Sequence, residues 1–303
     1  MGGSALRTKR SDTHIFSYYH PAVIFAYFAG AAAFSMATFN PVYVAASLVC
    51  ASIYLIYLHG ARAFAKSAAY AIPLFVVVVA FNALFNGMGM TVLGYFGGTP
   101  ITAEAIAYGT SAAAVLFAVF TWFACYQEIM TSDKFLALFG GIAPTSALLI
   151  SMTLRFVPLA ARRAKRISTA QNAALGSHKR TFREQARLGT RLATVLTAWS
   201  MESSIETADS MQVRAYGTQG RKRTHYANDR LTLRDGILLA LLIALIAANI
   251  FFFATQAPRF EFYPTINNHL PHPAAVLVYV VFLLTPLLLE GREQLAWARA
   301  TSR

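Results

Sequence analysis

The sequence predicts an all-α integral membrane protein of about six transmembrane helices, joined to a pair of long basic helices on the cytoplasmic side. Three observations carry this. Only 13% of the residues are charged and the mean hydropathy is +0.48, where a soluble domain holds about a quarter charged residues. Several apolar stretches reach the ~17–25 residues that a bilayer-crossing helix needs. And the positive charge is gathered: 16 of the 26 Lys and Arg lie between Arg155 and Arg234.

Residues 1–20 are polar and basic, with Arg7, Lys9 and Arg10, and read as a cytoplasmic N-terminus. An apolar run from Pro21 to Phe39 is too long for a signal-peptide core of roughly 7–15 residues, so it is expected to be retained as the first span. Asn40-Pro41 makes a tight turn, because Pro favours an element start and restricts its predecessor. The second span is expected over 42–58. A short loop from His59 to Ser67, with Arg62 and Lys66, leads to a third span over 68–86. Asn86 to Thr102 reads as a Gly-rich loop without Lys or Arg, turning at Gly97-Gly98. The fourth span covers 103–126 and closes a membrane region over 21–141.

A region over 142–235 follows. Asp133 to Gly141 is a short amphipathic piece, and Ile142 to Leu154 is apolar but too short to cross. The latter runs straight into a basic helix, the pattern of a segment that dips into the interface and leaves it. The first long helix extends to Ala174-Leu175-Gly176, and the second from about Gln185 to Gly217. The remaining spans are expected at 236–254 and 274–289, within a C-terminal region over 236–303. Six spans put both termini, the 59–67 loop and residues 127–235 on one side. That side holds 25 of the 26 Lys and Arg, with Arg259 alone opposite, so it is the cytoplasmic side of a cell membrane.

The spans carry almost no ionisable side chains; Glu104, Glu128 and Glu290 sit at their ends. Ion-coupled transporters place such groups inside the membrane. No phosphate-cradling Gly-rich loop, Ser/His/Asp set or zinc-binding HExxH is present, so no catalytic, cofactor-binding or metal-ligating residue is assigned and the chain is expected not to be an enzyme. His269 and His272, in a Pro-rich outer loop, are the one close His pair. Cys50 and Cys125 fall in apolar segments and read as packing residues. Asn82, Asn86 and Asn249 are expected to hydrogen-bond between helices. Anionic lipid is the expected partner of the basic stretch. Nucleic acid is not, because the aromatic interleaving of a single-strand platform is missing.

Within the long helices the periodicity is specific. Ala160, Ala164, Ile167 and Ala174 share one face of the first, with Gln171 in the same row. Leu188, Leu192, Val195 and Trp199 form an apolar row on the second. Such faces allow close crossing of two helices. Glu202, Glu206 and Asp209 are placed to pair with Arg162, Arg163 or Arg166. Arg214, just before Gly217, suits either a plain C-terminal cap or insertion of the helix end into a partner's groove, where a guanidinium meets a carboxylate.

The order of these motifs resembles the transmembrane T component of energy-coupling-factor transporters, a branch of the ABC transporters. His20-Pro21 looks like the His-Pro before that family's first span, and Asn40-Pro41 like its first outer turn. Leu154-Arg155-Phe156-Val157-Pro158-Leu159 is similar to its Leu-Arg-Phe-Ile/Val-Pro-Leu stretch. Ala208-Asp209-Ser210-Met211 leading to Arg214 resembles the start of its second Ala-Arg-Gly motif, and Arg230-Leu231 with Arg234-Asp235 its late basic run. The two Ala-Arg-Gly motifs are altered here, to Ala174-Leu175-Gly176 and to Val213-Arg214-Ala215 followed by Tyr216-Gly217. The resemblance implies a coupling subunit of a vitamin or cobalt/nickel importer. Two ABC-type ATPase subunits, which bind the ATP, would dock at those motifs, and a substrate-binding S component would dock near Leu188, Leu192, Val195 and Trp199. The rival readings are a membrane-embedded enzyme and a basic membrane-surface scaffold.

Overall fold

The computed structural model describes residues 15–96, 99–140, 143–175, 181–217, 232–255, 260–264 and 271–301. Its elements run, after a 3-10 turn at Ile15–Tyr18, as α1 (Pro21–Ala37), α2 (Pro41–His59), α3 (Ala61–Phe85), β1 (Val92–Phe96), β2 (Thr99–Thr102), α4 (Ala103–Ile129), α5 (Ser132–Gly140), α6 (Pro144–Leu175), α7 (Phe182–Val213), α8 (Leu233–Thr255) and α9 (Pro273–Thr301). Contacts divide the chain into two compact units, Met1–Phe135 with Asp229–Arg303, and Leu136–Asn228.

Among the described residues six helices are long and apolar enough to cross a membrane: α2, α3, α4, α6, α8 and the first 20 residues of α9. The number matches the sequence expectation, but the membership differs. Helix α1 has 17 residues and falls just short, although it rises about 26 Å, near the thickness of the hydrocarbon core. Helix α6 qualifies because its apolar start and basic end fuse into one 32-residue helix.

The first unit is a bundle of α1–α4, α8 and α9 whose helices alternate in direction, as its polar contacts at each end show. At one end the His20 N–H donates to Asp235 Oδ1 (3.4 Å), tying the start of α1 to that of α8. His59 Nε2 lies 3.2 Å from Glu128 Oε2, joining the last turns of α2 and α4. Lys134 donates to the backbone oxygen and hydroxyl of Ser17 at 2.6 and 2.7 Å. At the other end Asn86 Nδ2 donates to the Tyr263 hydroxyl (2.8 Å), and the Met90 N–H to the Pro264 oxygen (3.2 Å). Lys134 and Asp235 mark where the chain leaves this bundle and where it returns, and both belong to the same end. Helix α1 therefore runs the length of the bundle like its longer neighbours.

Local sequence explains the starts. His20 Nδ1 accepts from Ala22 N–H (3.2 Å) and Asn40 Oδ1 from Val42 N–H (3.0 Å), each followed by Pro at the first helical position, where its missing N–H costs nothing. The expected 59–67 loop is absent: Gly60 alone, at φ 83°, separates α2 from α3. Residues 61–69 are Ala-rich and hold no breaker, so α3 starts as soon as Gly60 has turned the chain. Asn86–Thr102 is not a plain loop either. It folds into an antiparallel pair, Tyr95 opposite Pro100 and Phe96 opposite Thr99; Gly97 and Gly98 lie outside the described residues.

The bundle core is aromatic and centred on Trp122, which is 1% exposed. Its ring meets Tyr27 edge-on at 5.9 Å and Phe28 at 6.3 Å. Its N–H donates to Ser47 Oγ (3.0 Å), Ser47 lies 2.6 Å from Ser35 Oγ, and Ser35 donates to the Ala31 oxygen (2.7 Å). Since Ser35 spends its one proton on Ala31, Ser47 must donate to Ser35. Cys50 and Cys125 are free and buried, as expected of packing residues. Gly109 lets α4 approach α3 closely: a Cβ there would stand 3.2 Å from the Val79 backbone. Asn82 and Asn249 do not bridge helices; each donates to the carbonyl four residues back, Val78 (3.0 Å) and Leu245 (2.8 Å). Of the three amides only Asn86 reaches another segment.

Candidate functional site

The second unit holds α6 and α7, each of 32 residues, and so each about 48 Å long. Helix α7 begins with a capping box: Thr181 N–H donates to Glu184 Oε2 (3.0 Å) and the Thr181 side chain accepts from the Glu184 backbone. Pro158 lies inside α6.

Along α6 the half-buried residues are Ala147, Leu148, Met152, Phe156, Ala160, Ala164, Ile167, Ser168 and Gln171. That is the seam the spacing predicts, extended towards the N-terminus. Ala174 is exposed and falls off it. Along α7 the half-buried row is Leu188, Leu192, Leu196, Trp199, Ser200 and Ser203, with Met211 two turns further on. Leu188, Leu192 and Trp199 were expected there. Val195 was too, but it is 43% exposed, and Leu196 takes its place. Both positions lie one turn beyond Leu192, and the uniform step of four from Leu188 through Leu192 is the signal that picks Leu196.

The two helices are locked at one crossing. The rings of Phe156 and Trp199 stack at 5.3 Å and 11°, and the Arg163 guanidinium carbon sits 4.4 Å from the Trp199 ring centre. Trp199 is thus occupied by α6 and does not present a free docking face. Arg163 meets an aromatic face instead of a carboxylate. Glu202, Glu206 and Asp209 make no ion pair; among the described residues the one salt bridge is His59–Glu128. The reason is energetic. An exposed ion pair is worth about 0–1 kcal/mol, while a guanidinium over a half-buried indole gains a similar amount and also buries its apolar stem.

The end of α7 has a particular geometry. Arg214 caps the helix, Ala215 N–H donates to the Gln212 oxygen (2.9 Å) and Tyr216 N–H to the Met211 oxygen (3.0 Å). These are the paired bonds of a Schellman motif, whose first residue past the cap is left-handed and usually Gly. Here it is Ala215, at φ 58°, with Gly217 at φ 86°. Ala in that conformation costs about 1 kcal/mol or more. The Ala215→Gly variant is therefore expected to gain about 1 kcal/mol, read as raised hydrogen-exchange protection of the last turn of α7. Unchanged protection would mean that this turn is not left-handed in solution. The Arg214 side chain is exposed, and a plain cap accounts for its backbone but leaves the guanidinium unused.

Leu175 is the last residue of α6 and Gly176 lies outside the described residues, so the first altered tripeptide is only partly placed. His269 also lies outside them. His272 is a cap: its Nδ1 accepts from Ala274 N–H (3.3 Å) at the start of α9. Among the described residues no three His, Cys, Asp or Glu side chains gather to hold a metal ion. No protein-family model matches the chain, and no curated protein matches it.

Proposed function

We propose that the protein is the coupling subunit of an ATP-driven importer, of the energy-coupling-factor type its motifs resemble. In this reading α6 and α7 are levers at the cytoplasmic side. Two ATPase subunits grip their far ends, at Ala174-Leu175-Gly176 and at Val213–Gly217, and a separate membrane protein carries the substrate. The chain itself moves force, binding neither ATP nor cargo. Vitamins and cobalt or nickel ions are the substrate classes the resemblance suggests.

One observation carries the reading: a locked pair of 32-residue helices whose second member ends in a strained left-handed turn with an exposed arginine. Strain retained at a helix end points to a role in contact with something else. The alternating bundle supports the same picture, because the chain leaves and re-enters it at one end, where α1 begins and α9 finishes, and the charge-rich segments of the sequence favour the cytoplasm for that end. With Trp199 packed against Phe156 and Arg163, the substrate-subunit dock in this reading centres on Leu188, Leu192 and the exposed Val195.

The test is purification of the tagged full-length protein from its own membranes in mild detergent. Two ATPase chains and a small multi-span membrane protein are expected in stoichiometric amounts. Recovery of the protein alone, under conditions that keep other membrane complexes whole, would overturn the assignment.

A further inference from the structure

The hairpin between α3 and α4 has a feature that membrane crossing alone does not require. Met88, Met90, Leu93 and Tyr95 are 64, 73, 66 and 76% exposed. From Asn86 to Thr102 the chain holds no charged residue. The helix that leads into it, α3, is apolar at the same end, where Phe81 and Phe85 are exposed and stack on one another at 4.5 Å. Nothing in α3 is buried, and Val76 and Val77 extend the same surface towards mid-helix.

The base of the hairpin is nevertheless firmly built. The Thr91 backbone and hydroxyl both donate to the buried Glu104 carboxylate. Thr102 Oγ1 donates to the Met88 oxygen at 2.8 Å. Gly89, at φ 139°, leaves no room for a side chain, since a Cβ would stand 2.6 Å from Glu104 Oε2. A rigid base under four exposed apolar side chains presents those side chains on purpose.

Depth decides what meets them. Lys66 is the last charge in α3, and the 19 steps from Lys66 to Phe85 rise about 29 Å, the thickness of the hydrocarbon core. With Lys66 at one headgroup layer, Phe85 reaches the opposite boundary and the hairpin begins there. Its open strand edges exclude the core itself, where backbone groups could find no water. The headgroup layer satisfies the edges and takes the side chains together, and Tyr is a residue favoured at that depth.

We propose that the β1–β2 hairpin is a membrane-interface anchor, with Met88, Met90, Leu93 and Tyr95 inserted at the boundary between headgroups and acyl chains. The anchor fixes the α3–α4 corner of the bundle in the leaflet opposite the chain termini. It rests on the bundle's crossing the membrane and is independent of the coupling role.

The test is spin labelling of the full chain in phospholipid vesicles. Cys50 and Cys125 are replaced by Ala, and one nitroxide is placed at Leu93→Cys or Tyr95→Cys, which leaves the base contacts intact. Val77→Cys gives the mid-core reference, and phospholipids labelled at the headgroup and along the chain calibrate depth. Collisions with oxygen are expected to outnumber those with a water-soluble nickel chelate severalfold at both hairpin positions, at a depth between the headgroup and the Val77 label. An excess of nickel collisions would place the hairpin in water and overturn the proposal. Low access to both reagents would mean that protein covers the hairpin, and would overturn it equally.

Discussion

The Trp122→Ala variant is expected to lose about 3 kcal/mol of stability. The side chain is 1% exposed and its removal opens a void of roughly 140 Å³, which at about 24 cal/mol per Å³ gives that figure. Lipid is as apolar as the core, so little of the loss comes from transfer out of water; lost packing dominates. The surrounding rings have little freedom to collapse into the void. Tyr27 is held by its hydroxyl on the Leu283 oxygen (2.8 Å) and Phe28 packs on Phe16, Tyr54 and Tyr126. The Trp122→Phe variant separates the polar part. It keeps most of the volume and removes the bond to Ser47, an interhelical hydrogen bond worth about 0.6 kcal/mol in a membrane. Detergent-titrated unfolding of the two variants checks the split. Equal losses would mean that the Trp122–Ser47–Ser35 chain, and not ring packing, holds α1, α2 and α4 together.

Much of this arrangement was legible in the sequence, and the misses share a cause. The starts of α1 and α2 were readable because His-Pro and Asn-Pro act locally: the side chain caps and the ring fixes φ. The α6 seam was readable because Ala160, Ala164, Ile167 and Gln171 repeat at helical spacing over three turns. The choice between Val195 and Leu196 was harder, since both sit one turn from Leu192 and only the crossing with α6 decides. The same crossing gave Arg163 to Trp199 and left Glu202, Glu206 and Asp209 unpaired. The hairpin escaped notice because its glycines and threonines read as loop, while its stabilising partner, Glu104, belongs to the next helix. Asn82 and Asn249 fell to competition from their own helices, whose carbonyls four residues back are always within reach. In each miss a contact distant in sequence, or an available backbone group, overrode the local pattern.

If the proposed coupling role holds, the Arg214→Glu variant is expected to lower retention of the ATPase chains on the tagged protein by about thirtyfold or more. Removing one member of an interfacial hydrogen-bonded charge pair costs about 2–5 kcal/mol, and reversal adds repulsion from the carboxylate that Arg214 would otherwise meet. Folding is expected to be nearly untouched. Arg214 is exposed and its backbone bonds at the cap do not involve the side chain. A charge at a helix C-terminus is worth about 0.3–1 kcal/mol. The two magnitudes separate the alternatives: a plain cap predicts a small stability loss and full retention, a docking arginine the reverse. Arg214→Lys refines the contrast. Lysine keeps the charge and serves the helix end as well, but it cannot make the two parallel bonds of a guanidinium. An intermediate retention for Lys assigns a bidentate contact at this site. Retention of both variants at the level of the unaltered protein would remove Arg214 from the interface and leave it as the cap its backbone already describes.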